Sequence, residues 1–235
     1  MWWIFLYSTH SIINDVGIYA IILSYQINSK GDFIMSVVVA IKKDGIIYMG
    51  ADSQVSCGGT RSTLSNPNNY KIWAMSDIDN CLMGSVGTLR ANNIIKVASD
   101  LIPEIVDLKG NVDFRFVVRH FVPRIMDELD EYKVLCKGKD DAPDMAASFL
   151  LAYHDRLYSI EHYGSVIEID DFCAIGSGSC EALGSLLSSV GIDDPVERIK
   201  MAIKASAAHD IYVDYPIVIS NTKDTEYKVY YEKAL

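Results

Sequence analysis

A glycine- and serine-rich run, Gly176-Ser177-Gly178-Ser179, lies between a predicted strand and a predicted helix. Backbone N–H groups at the start of a helix can bind a phosphate, so such a run could hold a nucleotide. Two features of nucleotide-binding loops are missing, because Glu181 occupies the position of the third glycine of a GxGxxG motif and no GK[ST] sequence follows. We therefore expect no nucleotide site here.

Cysteine and histidine side chains are common metal ligands, and neither type shows metal-ligand spacing in this chain. The cysteines are odd in number, irregularly spaced and without a CxxC pair, which argues against a disulfide framework and favours a reducing, cytoplasmic location. We expect neither a metal nor an organic cofactor. The residues considered are Cys57, Cys81, Cys136, Cys173, Cys180, His120, His154, His162 and His209.

The composition excludes two further classes of protein. Half of the 235 residues are hydrophobic, so the chain can fill a core and is not disordered throughout. Asp and Glu number 31 against 21 Lys and Arg, which gives a formal net charge of −10. The longest basic run is Lys42-Lys43, so nucleic acid is not expected as the main ligand.

Residues 1–34 are rich in aromatic and aliphatic side chains and differ from the rest of the chain. A signal peptide needs a basic N-terminal region, but the first basic residue is Lys30. A membrane-spanning helix needs about 20 nearly uninterrupted apolar residues. Because His10, Asn14 and Asp15 interrupt this stretch, the sequence favours no membrane contact, with a poor membrane anchor as the alternative.

A third interpretation is that the segment does not belong to the mature protein. Lys30-Gly31-Asp32 can be encoded by purine-rich codons that resemble a bacterial ribosome-binding sequence just upstream of Met35. We hypothesise that translation begins at Met35. Residues 1–35 would then be an over-extended start or a propeptide-like extension, and residues 36–235 would form one domain.

Apolar runs predict strands throughout that domain. The run SVVVAIK from Ser36 to Lys42 is β-branched and uninterrupted, as in a buried strand, and Asp44-Gly45 is typical of a hairpin turn into the strand from Gly45 to Ala51. Glycine, asparagine and proline at residues 57–69 predict a loop. Further strands are predicted at residues 70–75, 80–85, 146–153, 156–162, 172–175, 216–221 and 226–231.

Helical spacing of apolar residues predicts helices at residues 88–102, 113–133 and 180–190. Pro123 predicts a kink in the second of these. Asp194 as N-cap and Pro195 at the first position predict a fourth helix that continues to about residue 209. Strand hairpins alternating with helix pairs predict an α+β fold, in which two antiparallel sheets stack face to face with a helix pair outside each.

Five peptide motifs follow one another along this domain: SVVVAIKKDGIIYMGADSQVS, NNYKI, MGSVGT, AIGSGS and AIKASAAHD. In this order they resemble the proteasome-like N-terminal nucleophile hydrolases, namely the proteasome β-subunits and especially the bacterial HslV-type peptidase. The resemblance extends from Ser36 to the C-terminus. It implies a four-layer αββα sandwich and subunits that assemble into rings with their active sites facing an inner chamber.

The resemblance implies that the nucleophile is the first residue of the mature chain, usually threonine, and counting back from Gly45 places Ser36 there. Met35 before a small serine is a bond of the kind that methionine aminopeptidase removes. A free α-amine has a pKa of about 7.7–8.0. It can therefore accept the hydroxyl proton of the same residue at neutral pH. While residues 1–35 stay attached, that nitrogen is an amide and cannot be a base.

The remaining site residues are also implied by the resemblance. Lys71 matches the catalytic lysine, which would lower the pKa of the amine and hydroxyl, and Asp52 matches its acidic partner. Gly84 matches the glycine whose backbone N–H forms the oxyanion hole. Ser177 matches a serine near the nucleophile, and Asp210 matches an aspartate that hydrogen-bonds it. Where the family often has a second serine, this chain has Val213, as in the less polar bacterial pattern.

The sequence therefore predicts a threonine/serine-type endopeptidase subunit that acts on peptides or unfolded proteins and forms a homo-oligomeric ring. An unfoldase ATPase is a candidate partner, although no residue of this chain identifies one. Two alternatives stay open: a catalytically silent, ring-forming relative, and an amidohydrolase of the same class that acts on a small amide.

Overall fold

The computed structural model describes most of the predicted domain. All described residues belong to the second of two units into which the chain divides, Ile34–Leu235. They are residues 35–57, 59–75, 78–99, 101–102 and 112–231, without the side chain of Lys139. The predicted extension, residues 1–35, lies outside the described residues except for Met35.

The described strands alternate with helices in the predicted order. The strands are β1 (Val37–Lys43), β2 (Ile46–Ala51), β3 (Gln54–Cys57), β4 (Thr60–Thr63), β5 (Ile72–Ala74), β6 (Cys81–Gly87), β7 (Cys136–Lys137), β8 (Pro143–Asp144), β9 (Ala147–Tyr153), β10 (Arg156–Ile160), β11 (Val166–Ile169), β12 (Phe172–Gly176), β13 (Ile217–Asn221) and β14 (Lys228–Tyr230). The helices are α1 (Leu89–Val97), α2 (residues 114–131), α3 (Ser179–Ser188) and α4 (Pro195–His209).

The first sheet has the strand order β12-β1-β2-β13-β14, and its neighbours all pair antiparallel. β1 is buried on both faces. Val37, Val39 and Ile41 pack against α3 and α4, whereas Val38 and Ala40 face the second sheet. This arrangement explains why β1 reads as an uninterrupted apolar run rather than as an alternating one.

The second sheet has the strand order β11-β10-β9-β6-β5, again antiparallel throughout. On β6, Gly84 pairs with Ile72 of β5 on one side and with Leu150 of β9 on the other. β5 has only three residues and lies at the edge of the sheet. Lys71 directly precedes it.

Three apolar clusters define the layers. One lies between the two sheets, a second joins α1 and α2 to the second sheet, and a third joins α3 and α4 to the first sheet. The order of layers is helices, sheet, sheet, helices. The predicted α+β fold with a four-layer αββα sandwich is confirmed.

Sequence signals at the helix ends agree with the structure in detail at two places. Asp194 caps α4, where its carboxylate accepts from the N–H of Val196, and Pro195 is the first helical residue. A π-helical segment, Val117–Phe121, interrupts α2 just before Pro123. Because proline has no N–H to donate, the change of helix type occurs where the kink was predicted.

Five short strands were missed, namely β3, β4, β7, β8 and β11. The predicted loop at residues 57–69 contains β4, which pairs with β3, and all four residues of β4 are exposed. A fully exposed strand such as β4 has no buried face, so it leaves no alternation of apolar residues in the sequence. β11 was also missed, because its four residues, VIEI, are too few to be distinguished as a strand from the turns beside them. Helix α1 ends at Val97, short of the predicted residue 102.

Candidate active site

Ser36 lies immediately before β1 and is buried, with 7% of its surface exposed. The following residue, Val37, pairs with Gly176 of β12. Ser36 has a φ of 106°, in a region that residues other than glycine rarely adopt. The fold therefore places this serine at the end of a central strand, in a backbone conformation that costs energy while a residue precedes it.

Asp52 and Lys71 form a buried ion pair beside that strand. The Lys71 Nζ is 2.7 Å from Asp52 Oδ1, and the two side chains are 5% and 0% exposed. Burial lowers the pKa of Lys71, and the attraction of Asp52 offsets this effect only in part. A buried ion pair contributes little to stability after desolvation, so its presence calls for a reason other than stability.

Asp52 connects the lysine to the backbone next to Ser36. Its Oδ1 also accepts from the Val37 N–H at 3.0 Å, and its Oδ2 accepts from the Gln54 N–H at 2.9 Å. The Gln54 carbonyl in turn accepts from Lys71 Nζ at 2.6 Å. Gln54 was missed in the sequence because it acts through backbone atoms, which any residue type could supply.

Gly84 lies beside Lys71 across the β5–β6 ladder. Its partner Ile72 follows Lys71, and the Ser85 N–H donates to the Lys71 carbonyl at 2.9 Å. Gly84 also allows the two sheets to approach, because a Cβ there would lie 2.7 Å from both Met49 Sδ and Val38 Cγ1. The glycine thus has a packing role. Because the Ser85 N–H points to β5, the Gly84 N–H points to β9 and pairs there with Leu150, so it is not free for the predicted oxyanion role.

This packing predicts the effect of a Gly84→Ala substitution on stability. The added methyl group would overpack the core between the sheets, and we expect the free energy of unfolding to fall by about 1–3 kcal/mol. Gly184→Ala is the matched control, since no atom lies within 4 Å of a Cβ there and alanine favours helix α3 by roughly 0.5–1 kcal/mol. Urea unfolding of both variants tests this. Equal stability of Gly84→Ala and the wild type would contradict it.

The loop after β12 contacts the backbone carbonyl of Ser36. Ser177 Oγ and the Gly178 N–H each lie 3.4 Å from the Ser36 carbonyl oxygen. Gly176 has a φ of 104°, and a Cβ there would lie 2.2 Å from the same oxygen. Ser206 of α4 supports the loop, because its Oγ donates to the Gly178 carbonyl at 2.7 Å. The glycine- and serine-rich run therefore shapes the surroundings of Ser36.

Asp210 follows α4, and its carboxylate makes a local contact. Oδ1 accepts from the Tyr212 N–H at 2.9 Å, and Oδ2 is buried without a hydrogen-bond partner. Since Ser177 Oγ donates to Ser36 instead, no hydrogen bond joins Asp210 to Ser177, although the resemblance implied one. Asp210 still acts on the site electrostatically, because its charge raises the pKa of Lys71.

The described residues contain neither a metal-binding cluster nor a membrane-spanning helix. In this part of the chain, no group of three or more His, Cys, Asp or Glu side chains could hold a metal ion. None of the described helices has the length and hydrophobicity needed to cross a membrane.

Comparison with known proteins gives a short sequence match and broad structural matches. No protein-family model matches the chain. Over 67 residues the chain is 36% identical to a proteasome subunit beta from Nanoarchaeum equitans (strain Kin4-M), a match that covers 27% of this chain and 34% of that relative. The match therefore spans much less than two thirds of the relative's length.

Two solved structures match this chain over nearly all of their own length. BPH from Thiobacillus denitrificans, solved in complex with epoxomicin, superposes with a TM-score of 0.61 at 20% identity over 79% of this chain and 97% of that one. Eukaryotic HslV from Trypanosoma brucei superposes with a TM-score of 0.58 at 18% identity over 79% and 98%. The resemblance found in the motifs is confirmed at the level of the fold, since the chain has the fold of these proteasome- and HslV-type structures.

Proposed function

We propose that this chain is a subunit of a proteasome-like peptidase whose nucleophile is Ser36, freed by removal of Met35. The observation that carries the proposal is the buried Asp52–Lys71 pair, which is hydrogen-bonded to the backbone N–H of Val37, the residue after Ser36. In this proposal, Lys71 supplies the buried positive charge near the new N-terminus. In an N-terminal nucleophile mechanism, such a charge activates the α-amine and the hydroxyl.

The chemistry needs only groups of this chain and a water molecule. The free α-amine of Ser36 takes the hydroxyl proton, and Oγ attacks the peptide carbonyl. A backbone N–H donor stabilises the resulting oxyanion. The tetrahedral intermediate collapses to an acyl ester as the peptide C–N bond breaks. The α-amine returns the proton that it took from the hydroxyl to the leaving amine. A water molecule, deprotonated by the same α-amine, then hydrolyses the ester and restores Ser36.

The backbone of Ser36 gives further support for removal of Met35. A serine with φ near 106° carries strain on the order of 1–3 kcal/mol. The φ torsion is defined by the carbonyl carbon of the preceding residue, so it ceases to exist once Met35 is gone. The strained conformation is therefore costly in the extended chain and free of that cost in a chain that begins at Ser36.

A ring assembly is part of the proposal. Apolar side chains are exposed on α3, α4 and the turn between them, namely Leu183, Leu187, Val190, Ile192 and Met201. An exposed apolar patch of this kind marks a contact surface. Together with the family resemblance it supports a homo-oligomer in which peptides or unfolded proteins are cleaved in an inner chamber.

We expect the chain starting at Met35 to elute as a homo-oligomer of six or more subunits. Burial of the apolar side chains on α3 and α4 against another subunit is the physical reason. Size-exclusion chromatography with light scattering at micromolar concentration measures the mass, and Leu187→Glu, which charges the most exposed of these side chains, should lower it. A wild-type monomer at that concentration would contradict the assembly.

A further inference from the structure

Lys71 lies at an edge of the second sheet that has few hydrogen bonds. It precedes β5, which has three residues and, among the described strands, pairs with β6 alone. The last ladder contact on that side is the Ser85 N–H, which donates to the Lys71 carbonyl. Segments with few hydrogen bonds open most easily. The position of Lys71 therefore depends on contacts from outside the sheet.

Lys96 on α1 supplies such a contact on both sides of Lys71 along the chain. Its Nζ donates to the Asn68 carbonyl at 3.1 Å and also to the Tyr70 carbonyl, directly before Lys71. The same Nζ lies 5.1 Å from the ring centroid of Trp73, two residues after Lys71. One ammonium thus contacts the chain before and after the lysine of the site.

The C-terminal end of β5, at Ala74, is held by a contact that does not involve Lys96. The Ala74 N–H donates to the Tyr227 hydroxyl at 3.2 Å. Tyr227 also packs edge to face on Tyr70, with ring centroids 5.5 Å apart. With that end held by an independent contact, loss of the Lys96 contact would release the chain on the Lys71 side of β5.

The surroundings of Lys96 are unusual for a lysine. Among the described residues no carboxylate pairs with it, and its partners are two carbonyls and an aromatic ring, none of which titrates. The hydroxyl of Tyr70, whose carbonyl accepts from Lys96, donates to the Ser65 carbonyl. Burial lowers the pKa of Lys96 to about 8. A desolvated ammonium without a counter-charge costs stability, so stability alone does not account for it.

We propose that Lys96 is a positioning residue, whose ammonium clamps residues 68–73 and thereby fixes Lys71 beside Ser36. The inference rests on the proposed role of Lys71. Lys96 touches neither the nucleophile nor a substrate, so it acts on the reaction only through Lys71.

The first test measures the position of Lys71 without using activity. In Lys96→Met, which keeps the length and apolar stem but loses the donors, we expect amide hydrogen exchange at Ser85 to accelerate at least roughly tenfold. The matched control is Arg198→Met on α4, because Arg198 also donates to a carbonyl, that of Leu186, and lies over an aromatic ring, that of Phe172. Unchanged exchange at Ser85 in Lys96→Met would overturn the clamp.

The second test measures the reaction. In chains that begin at Ser36, we expect Lys96→Met to slow acylation by a peptidyl epoxyketone roughly ten- to a hundredfold, as small misplacements of catalytic groups do. Lys96→Arg should restore the rate, since its guanidinium can donate to both carbonyls, and Arg198→Met should react like the wild type. Faster exchange with a wild-type acylation rate would mean that Lys96 stabilises the strand without positioning Lys71, which would overturn the proposal.

Two further outcomes are distinguishable. If Lys96→Met does not fold, Lys96→Gln, which keeps one amide donor, should show both effects in reduced form, and wild-type values there would overturn the clamp. If the wild type itself is not acylated, the proposed function fails, whereas the exchange measurement still decides whether Lys96 holds the Lys71 segment.

Discussion

A chain that begins Met35-Ser36 should lose Met35 and hydrolyse peptides, whereas the full 235-residue chain should be inactive unless it cleaves itself between these residues. The base of the proposed mechanism is the α-amine of Ser36, and in the full chain that nitrogen belongs to a peptide bond. Loss of a general base costs about 10²–10⁴-fold in rate. We therefore expect a difference of at least that size on a fluorogenic peptide, with both N-termini read by mass spectrometry.

The extension itself could also obstruct the site, and a third chain separates the two effects. Inserting a lysine between Met35 and Ser36 adds only two residues, but methionine aminopeptidase does not act before so large a side chain. If the free amine is what matters, this short chain should be as inactive as the full one. Equal activity of an uncleaved chain and the processed one would place the nucleophile elsewhere.

Removing either Ser36 or Lys71 should abolish acylation. Ser36→Ala lacks the nucleophilic oxygen, and we expect no covalent adduct with a peptidyl vinyl sulfone or epoxyketone while the oligomer stays intact. Lys71→Ala should lose at least about 10²-fold in acylation rate, because the amine and hydroxyl then lack the adjacent positive charge. Retention of most activity in Lys71→Ala would contradict the role given to Lys71.

Lys71→Ala also leaves Asp52 as an unpaired buried charge, which destabilises a protein by about 3–5 kcal/mol. A loss of activity could then reflect unfolding. The double variant Lys71→Met, Asp52→Asn removes both charges and keeps an oxygen that can accept from the Val37 N–H. We expect it to unfold at a higher temperature than Lys71→Ala, because no buried charge is left unpaired, and still to react as slowly.

The sequence carried enough information for the layers and for the order of elements. Strand β1 is buried on both faces, so its residues are apolar without alternation. Helix α4 could be located because it begins with a proline after a capping aspartate. The exposed strand β4 has no such pattern, because solvent accepts almost any side chain.

Contacts made through the backbone could not be foreseen. Gln54 holds both members of the buried ion pair with its N–H and carbonyl, which leave no trace in the residue type. Lys96 reads as one more charged residue on a helix, and only the fold reveals that its ammonium contacts both sides of Lys71. Asp210 was placed beside Ser177 by resemblance, whereas its carboxylate accepts from the Tyr212 N–H.

The central claim is that the hydroxyl and the α-amine of Ser36 act together, and one mass measurement tests both. A peptidyl epoxyketone can be attacked at its carbonyl by a hydroxyl and at its epoxide by an amine, with addition of the whole reagent. After reaction of the chain that begins Met35-Ser36, peptide mapping should find one adduct of the full reagent mass on the peptide that starts at Ser36, and none in Ser36→Ala. An adduct on another residue, or one on a chain that still carries Met35, would contradict the account.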